Sequence, residues 1–348
     1  MLVICGFFYF MAGIEAFTLS ESFPRPGAWT WLRHFLFLLV TFVTSTIAGV
    51  LFPFGRTPVF PDAEPQSFDE FIPFILALPV KYAALIGSTV RNLLTDSTYL
   101  VEGISFSLSL LFILISHEMG HYIACRIYRV DATLPYFIPT PPMIGPAGTF
   151  GAFIKIRSPM PSRKAVFDIG VAGPIAGFIA LIPIAIIGVA TMQVATPEQI
   201  AGGTGGLVFT DPLFMRAIAL FFGIDLHFAY GNPFYFAAWV GLLVTALNLI
   251  PSGQLDGGHA IFAVFGERVH YWTGRIAFVA MAIFSILGWI YFNSPSGFLF
   301  TVLLGIMMRI KHPTPWDETP LDGKRKLVAI LTLLIFGLCF VPFPIQIN

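Results

Sequence analysis

Charge is scarce in this sequence. Only 11% of its 348 residues are Asp, Glu, Lys or Arg, and 56% are hydrophobic, whereas a soluble globular chain carries about 25% charged residues. A mean hydropathy of +0.82 points the same way. So few charges cannot cover the outside of a soluble fold, which excludes an ordinary cytosolic enzyme and a disordered regulator. An excess of one sign is lacking too. Nineteen Lys and Arg balance nineteen Asp and Glu, so no basic field exists to attract nucleic acid. Cysteine is nearly absent: Cys5, Cys125 and Cys339 lie far apart in apolar stretches with no CxxC among them. That excludes a disulfide scaffold and a thiolate metal site. What remains is a polytopic membrane protein, with no evident soluble domain and no internal repeat.

A helix needs about 20 apolar residues to cross the hydrocarbon core. Five such runs are clear, at about 31–54, 103–125, 166–192, 233–251 and 271–292, and a pair at 296–310 and 327–345 follows. The 296–310 run is short and opens on a Pro-Ser-Gly turn, so a tilted or re-entrant path is open to it. Residues 1–17 lack the basic start and cleavage site of a signal peptide, and 72–94 is interrupted by Pro79, Lys81 and Arg91; each is open to spanning or not. The expected fold class is an all-α polytopic membrane protein with about 6–8 transmembrane helices and a small β strand or hairpin near the active site. Basic loops set its orientation. Six Lys and Arg lie within 126–164 and five within 309–326, while 193–232 holds only Arg216. Both basic loops are expected in the cytoplasm, at a bacterial inner membrane, with 193–232 outside. Within that connection, 212–229 reads as an interfacial helix.

The chemistry sits in His117-Glu118-Met119-Gly120-His121, an HExxH sequence inside the apolar run Ile104–Ile127. Positions i and i+4 share a helix face, so both imidazoles reach one tetrahedral zinc, with Glu118 one step round beside it. Zinc brings the pKa of water to about 7, and a carboxylate within reach takes its proton as the water attacks a carbonyl. Composition alone gives this pattern roughly four chances in a thousand in a chain of this size. Ionisable residues in a membrane helix face a partner or a cavity, and a metal explains all three together. The bland alternative is a polar helix end carrying ordinary histidines.

A catalytic zinc takes three protein ligands. Ala124 and Ile127 stand where a metzincin would have Gly and His, so the third ligand comes from another segment. The best candidate is Asp256, in Asn248-Leu249-Ile250-Pro251-Ser252-Gly253-Gln254-Leu255-Asp256-Gly257-Gly258-His259; a helix N-cap is its competing role. His259 reads as a supporting or structural residue. Asn248 is a candidate donor to the oxyanion of a tetrahedral intermediate, against a role in interhelical hydrogen bonding. Gly148–Ile156 reads as a strand or hairpin. Its free edge is a candidate for holding an unwound substrate, with Gly148, Thr149, Phe150 and Gly151 as substrate-binding residues. Gly170, Gly173 and Gly177 read as close helix packing and Asp168 as an N-cap.

HExxH in a membrane helix followed by N-x-x-P-x-G-x-L-D-G-G-H resembles the site-2 protease family of intramembrane zinc metalloproteases. The resemblance extends through Gly148–Ile154 and Phe167–Gly177, covering about 104–260. It implies one Zn2+ per chain held by His117, His121 and Asp256, with Glu118 as the catalytic base. It also implies membrane-spanning protein substrates cut within the bilayer, and Asn248 near the substrate. The sequence is most similar to the compact bacterial and plastid members with the Ala132–Pro139 run, lacking a PDZ domain and a CBS pair. The expected organisation is 1–102 as N-terminal membrane segments, 103–260 as the catalytic core and 261–348 as C-terminal membrane helices. Two other readings are a membrane-bound zincin cutting at the cytoplasmic surface and a proton-coupled transporter. The oligomeric state is left open.

Overall fold

A computed structural model describes residues 26–51, 53–57, 67–143, 145–194, 207–310, 312 and 314–347. The helices are α1 (Ala28–Val50), α2 (Phe68–Thr95), α3 (Ser97–Ile127), α4 (Arg163–Ala190), α5 (Leu213–Phe222), α6 (Pro233–Asn248), α7 (Asp256–Phe265), α8 (Glu267–Phe292), α9 (Ser296–Met307) and α10 (Gly323–Cys339). Among the described residues, five helices are long and apolar enough to cross a membrane: α1, α2, α3, α4 and α8. The expected segment 1–17 lies outside the described residues, while the uncertain 72–94 is a continuous helix, α2. The described residues also form three antiparallel pairs: β1 (Tyr136–Pro139) with β2 (Thr149–Phe153), β3 (Gln193–Val194) with β5 (Ala229–Tyr230), and β4 (Leu207–Phe209) with β6 (Ile345–Ile347).

Helix α4 is the centre of the molecule, packed against α3, α5, α6, α7 and α10. Its buried residues include Ala165, Gly170, Ala172, Gly173, Ala176, Gly177, Ala180, Ala185 and Gly188, and small side chains let neighbouring backbones approach closely. Phe167, Leu181 and Leu242 fill the core around it. Phe106, Leu110 and Trp239 fill a second cluster beside α1 and α3.

Helix ends follow local chemistry and move several expected boundaries. α4 starts at Arg163, earlier than 166, because the Ser162 side chain accepts from the Ala165 N–H, which satisfies a first-turn donor. Asp168 is therefore inside the helix and is not its N-cap; it pairs with Arg325 instead. α6 stops at Asn248, short of the expected 251, with Pro251 close behind and Gly253 at φ +55°. The last expected span, 327–345, becomes α10 at 323–339: Asp322 caps the Arg325 N–H, and Pro342 and Pro344 exclude further helix. Of the stretch 212–229, expected as an interfacial helix, only Leu213–Phe222 forms a regular α-helix, ended by Gly223 in the left-handed region. Segment 296–310 is the 12-residue α9.

Candidate metal centre

His117 and His121 lie on one face of α3, 5% and 7% exposed. Asp256 is the first residue of α7, and the N-cap position before it is held by Leu255, so Asp256 is not the cap. α7 can start close to the preceding turn because Gly257 has no Cβ, which would lie 2.0 Å from the Leu249 carbonyl oxygen. The Asp256 carboxylate faces the histidines, with Oδ2 3.2 Å from His117 Nε2 and Oδ1 3.4 Å from His121 Nε2. The two Nε2 atoms are 3.1 Å apart.

These distances suit a metal. Four-coordinate zinc with bonds of about 2.0–2.1 Å holds its ligands roughly 3.3 Å apart. The donor chemistry fits as well. His121 Nδ1 donates to the Ile169 carbonyl at 2.7 Å, which fixes the tautomer and leaves a lone pair on Nε2. That lone pair faces an acceptor-only carboxylate, an arrangement that a cation resolves. Among the described residues, His117, His121 and Asp256 are the one group of three or more His, Cys, Asp or Glu placed to hold a metal ion.

The ligands open into a cavity of about 540 Å³ lined by Glu118, Asn248, Ala152–Ile156 and His259, among others. Glu118 is 6% exposed and lines this cavity, with the Ile154 main chain beside its carboxylate. The Asn248 amide nitrogen lies 3.4 Å from His117 Nε2. Residues 148–151 line a different region. Gly148 carbonyl accepts from Thr44 Oγ1 of α1 at 2.7 Å, Thr149 Oγ1 donates to the Ile138 carbonyl at 3.0 Å, Gly151 holds φ +93° and Phe150 is exposed. The wall of the cavity begins one residue later, at Ala152.

Some residues at the site were not singled out by the sequence. His312 places its Nε2 2.6 Å from His259 Nδ1 and stacks on Phe262. Burial holds the His259 imidazole down, to about 4, so it is neutral. Ile154 meets Glu118 through its main chain, for which no side-chain pattern is a signal. Gly173 and Gly177 do pack closely, and their neighbours are the candidate metal ligands: a Cβ on Gly173 would lie 2.0 Å from His121 Nε2, and one on Gly177 3.1 Å from His117 Cβ.

Residues 105–289 match the profile of Peptidase family M50. Among curated proteins, the chain is 27% identical over 283 residues to "Probable zinc metalloprotease EGY2, chloroplastic" of Oryza sativa subsp. indica, covering 78% of this chain and 48% of the relative. It is 26% identical over 345 residues to "Probable zinc metalloprotease EGY1, chloroplastic" of Arabidopsis thaliana, covering 93% of this chain and 56% of the relative. The chain spans about half the length of the curated relatives it matches. No solved structure matches it significantly.

Proposed function

Because the chain belongs to Peptidase family M50, the site-2 proteases, we propose that it is a zinc-dependent intramembrane endopeptidase cutting the membrane-spanning helices of other proteins. The observation that carries this reading is the convergence of His117, His121 and Asp256 at 3.1–3.4 Å beside the buried Glu118 at one cavity. Those three residues would hold the ion. Zinc, when bound, supplies Lewis acidity that brings the pKa of water to about 7 and polarises a carbonyl. Glu118 takes the proton of the attacking water and passes it to the leaving amine. The Asn248 amide donates to the carbonyl oxygen as negative charge develops there. The family's zinc chemistry and the His-His-Asp donor set agree.

A helical peptide bond is covered and hydrogen-bonded, so the substrate unwinds before attack. β2 has β1 on one edge and no strand on the other among the described residues. That free edge, continuing past Phe153 into the cavity wall, offers main-chain bonds to an extended substrate with little sequence preference. Pro in place of Phe150 or Ala152 is expected to lower cleavage of a reporter helix by about tenfold or more with zinc content unchanged; full cleavage in both variants would remove the strand from the mechanism. The site is read as opening on the side of the basic loops, cytoplasmic in a bacterial inner membrane. The surrounding lipid and the membrane-spanning substrates are the partners in this reading, with 103–260 as the catalytic core.

The test is the metal itself. Purified protein is expected to hold about one equivalent of zinc, to lose cleavage on chelation and to regain it on readdition. Less than about half an equivalent together with chelator-insensitive cleavage would overturn the metalloprotease reading.

A further inference from the structure

Among the described residues, a buried ionic cluster away from the candidate metal ligands lies one residue from the carbonyl that holds His121. Arg325, in the first turn of α10, is 4% exposed. Its Nε donates to Asp168 Oδ1 at 3.0 Å and its Nη2 to Asp168 Oδ2 at 2.7 Å. Nη2 also reaches the Tyr128 hydroxyl at 3.0 Å, and Nη1 bonds Asp322. The Tyr128 hydroxyl in turn donates to Asp168.

The placement of these groups is informative. Tyr128 is the C-cap of α3, about two turns beyond His121. Asp168 on α4 directly precedes Ile169, whose carbonyl accepts from His121 Nδ1. One guanidinium thus ties α3 to α4 at the level where a bond between those helices aims a metal ligand. Net stability is a weak reason for such a network, since apolar residues of similar volume often serve as well. A planar fork with donors in fixed directions does something apolar packing does not: it fixes where its partners sit.

We propose that Arg325 is a positioning residue for His121, setting the Ile169 carbonyl through Asp168 and Tyr128 and so directing Nε2 at the metal. The inference rests on the metalloprotease reading above and extends it to a residue outside the matched segment 105–289. Without Arg325, the Asp168 carboxylate, 2% exposed, keeps only the phenol as a partner among the described residues, and the first turns of α4 move to relieve it. Ligand sites work within about 0.5 Å of their geometry, so a small shift of the carbonyl turns the imidazole away.

The experiment measures zinc affinity by chelator competition, and the cobalt-substituted electronic spectrum, on the full chain in detergent. Wild type that binds no zinc would overturn the metalloprotease reading and this inference with it. Arg325→Lys keeps the charge but loses the fork; about tenfold weaker zinc binding and shifted cobalt bands are expected, rising towards about 100-fold in Arg325→Gln. Tyr128→Phe removes one arm without stranding a charge and serves if the arginine variants do not fold; roughly three- to tenfold weaker binding is expected. Asp322→Asn alters the outer side of the guanidinium, away from Ile169, and is expected to stay within about twofold of wild type. Wild-type zinc affinity with an unchanged cobalt spectrum in a folded Arg325→Lys or Tyr128→Phe would overturn the proposal. So would an Asp322→Asn variant as impaired as Arg325→Lys, because the network would then act only on general stability.

Discussion

Replacing Glu118 by Gln is expected to abolish cleavage of a single-span reporter helix while zinc stays bound. Glutamine has nearly the same shape and can fill the same space beside the Ile154 main chain. The cavity wall is therefore expected to stay in place. What disappears is the proton acceptor, and loss of a positioned general base lowers rate by about 10²- to 10⁴-fold. Zinc should be retained because Glu118 is not in the group placed to hold the ion. Metal content and cleavage measured on the same preparation separate the outcomes. Wild-type cleavage would dismiss Glu118 as the base, and lost zinc would make it a ligand.

Gly173→Ala should be nearly as damaging by a different route, through the metal. The added methyl would lie 2.0 Å from Nε2, 2.4 Å from Cδ2 and 2.6 Å from Cε1 of His121. A flexible side-chain tip could swing aside, but this ring is fixed through Nδ1 to the Ile169 carbonyl and is 7% exposed. Zinc affinity is expected to fall by about 100-fold or more, beyond what disturbing a ligand's support costs. Gly177→Ala is the built-in comparison. Its methyl meets His117 Cβ at 3.1 Å and Nδ1 at 3.3 Å, so a few tenths of an ångström suffice and the loss should stay within about tenfold. Chelator competition on both variants gives the order, and equal zinc affinities would show that α4 yields as a whole.

Much of this site was legible in the residues. The spacing of His117 and His121 works on any helix, and a carboxylate among Pro and Gly at the end of an apolar run marked Asp256. Other features were not, for physical reasons. Periodicity identified Gly173 and Gly177 as packing positions, but a helical period does not name the surface packed against. Asp168 near a helix start looked like a cap; its true partner, Arg325, stands 157 positions away among ordinary loop cations. The β-branched run 148–156 pointed to a strand, yet which part of it faces the cavity depends on the turn before it and on the break in register between Phe137 and Pro139. Helix ends moved by a few residues wherever a hydroxyl or carboxylate capped a backbone amide, as Ser162 and Asp322 do.

The burial of α4 has a consequence for how mutations register in this chain. Large apolar side chains dominate the composition, yet many, such as Leu220, Leu333 and Ile276, are exposed and interchangeable with any residue of similar oiliness. The specifying information is concentrated instead in the smallest side chains, where one methyl group collides with a ligand or a backbone. A saturation scan should therefore invert the pattern of a soluble enzyme, with bulky positions drifting freely and the alanines and glycines of α4 nearly fixed.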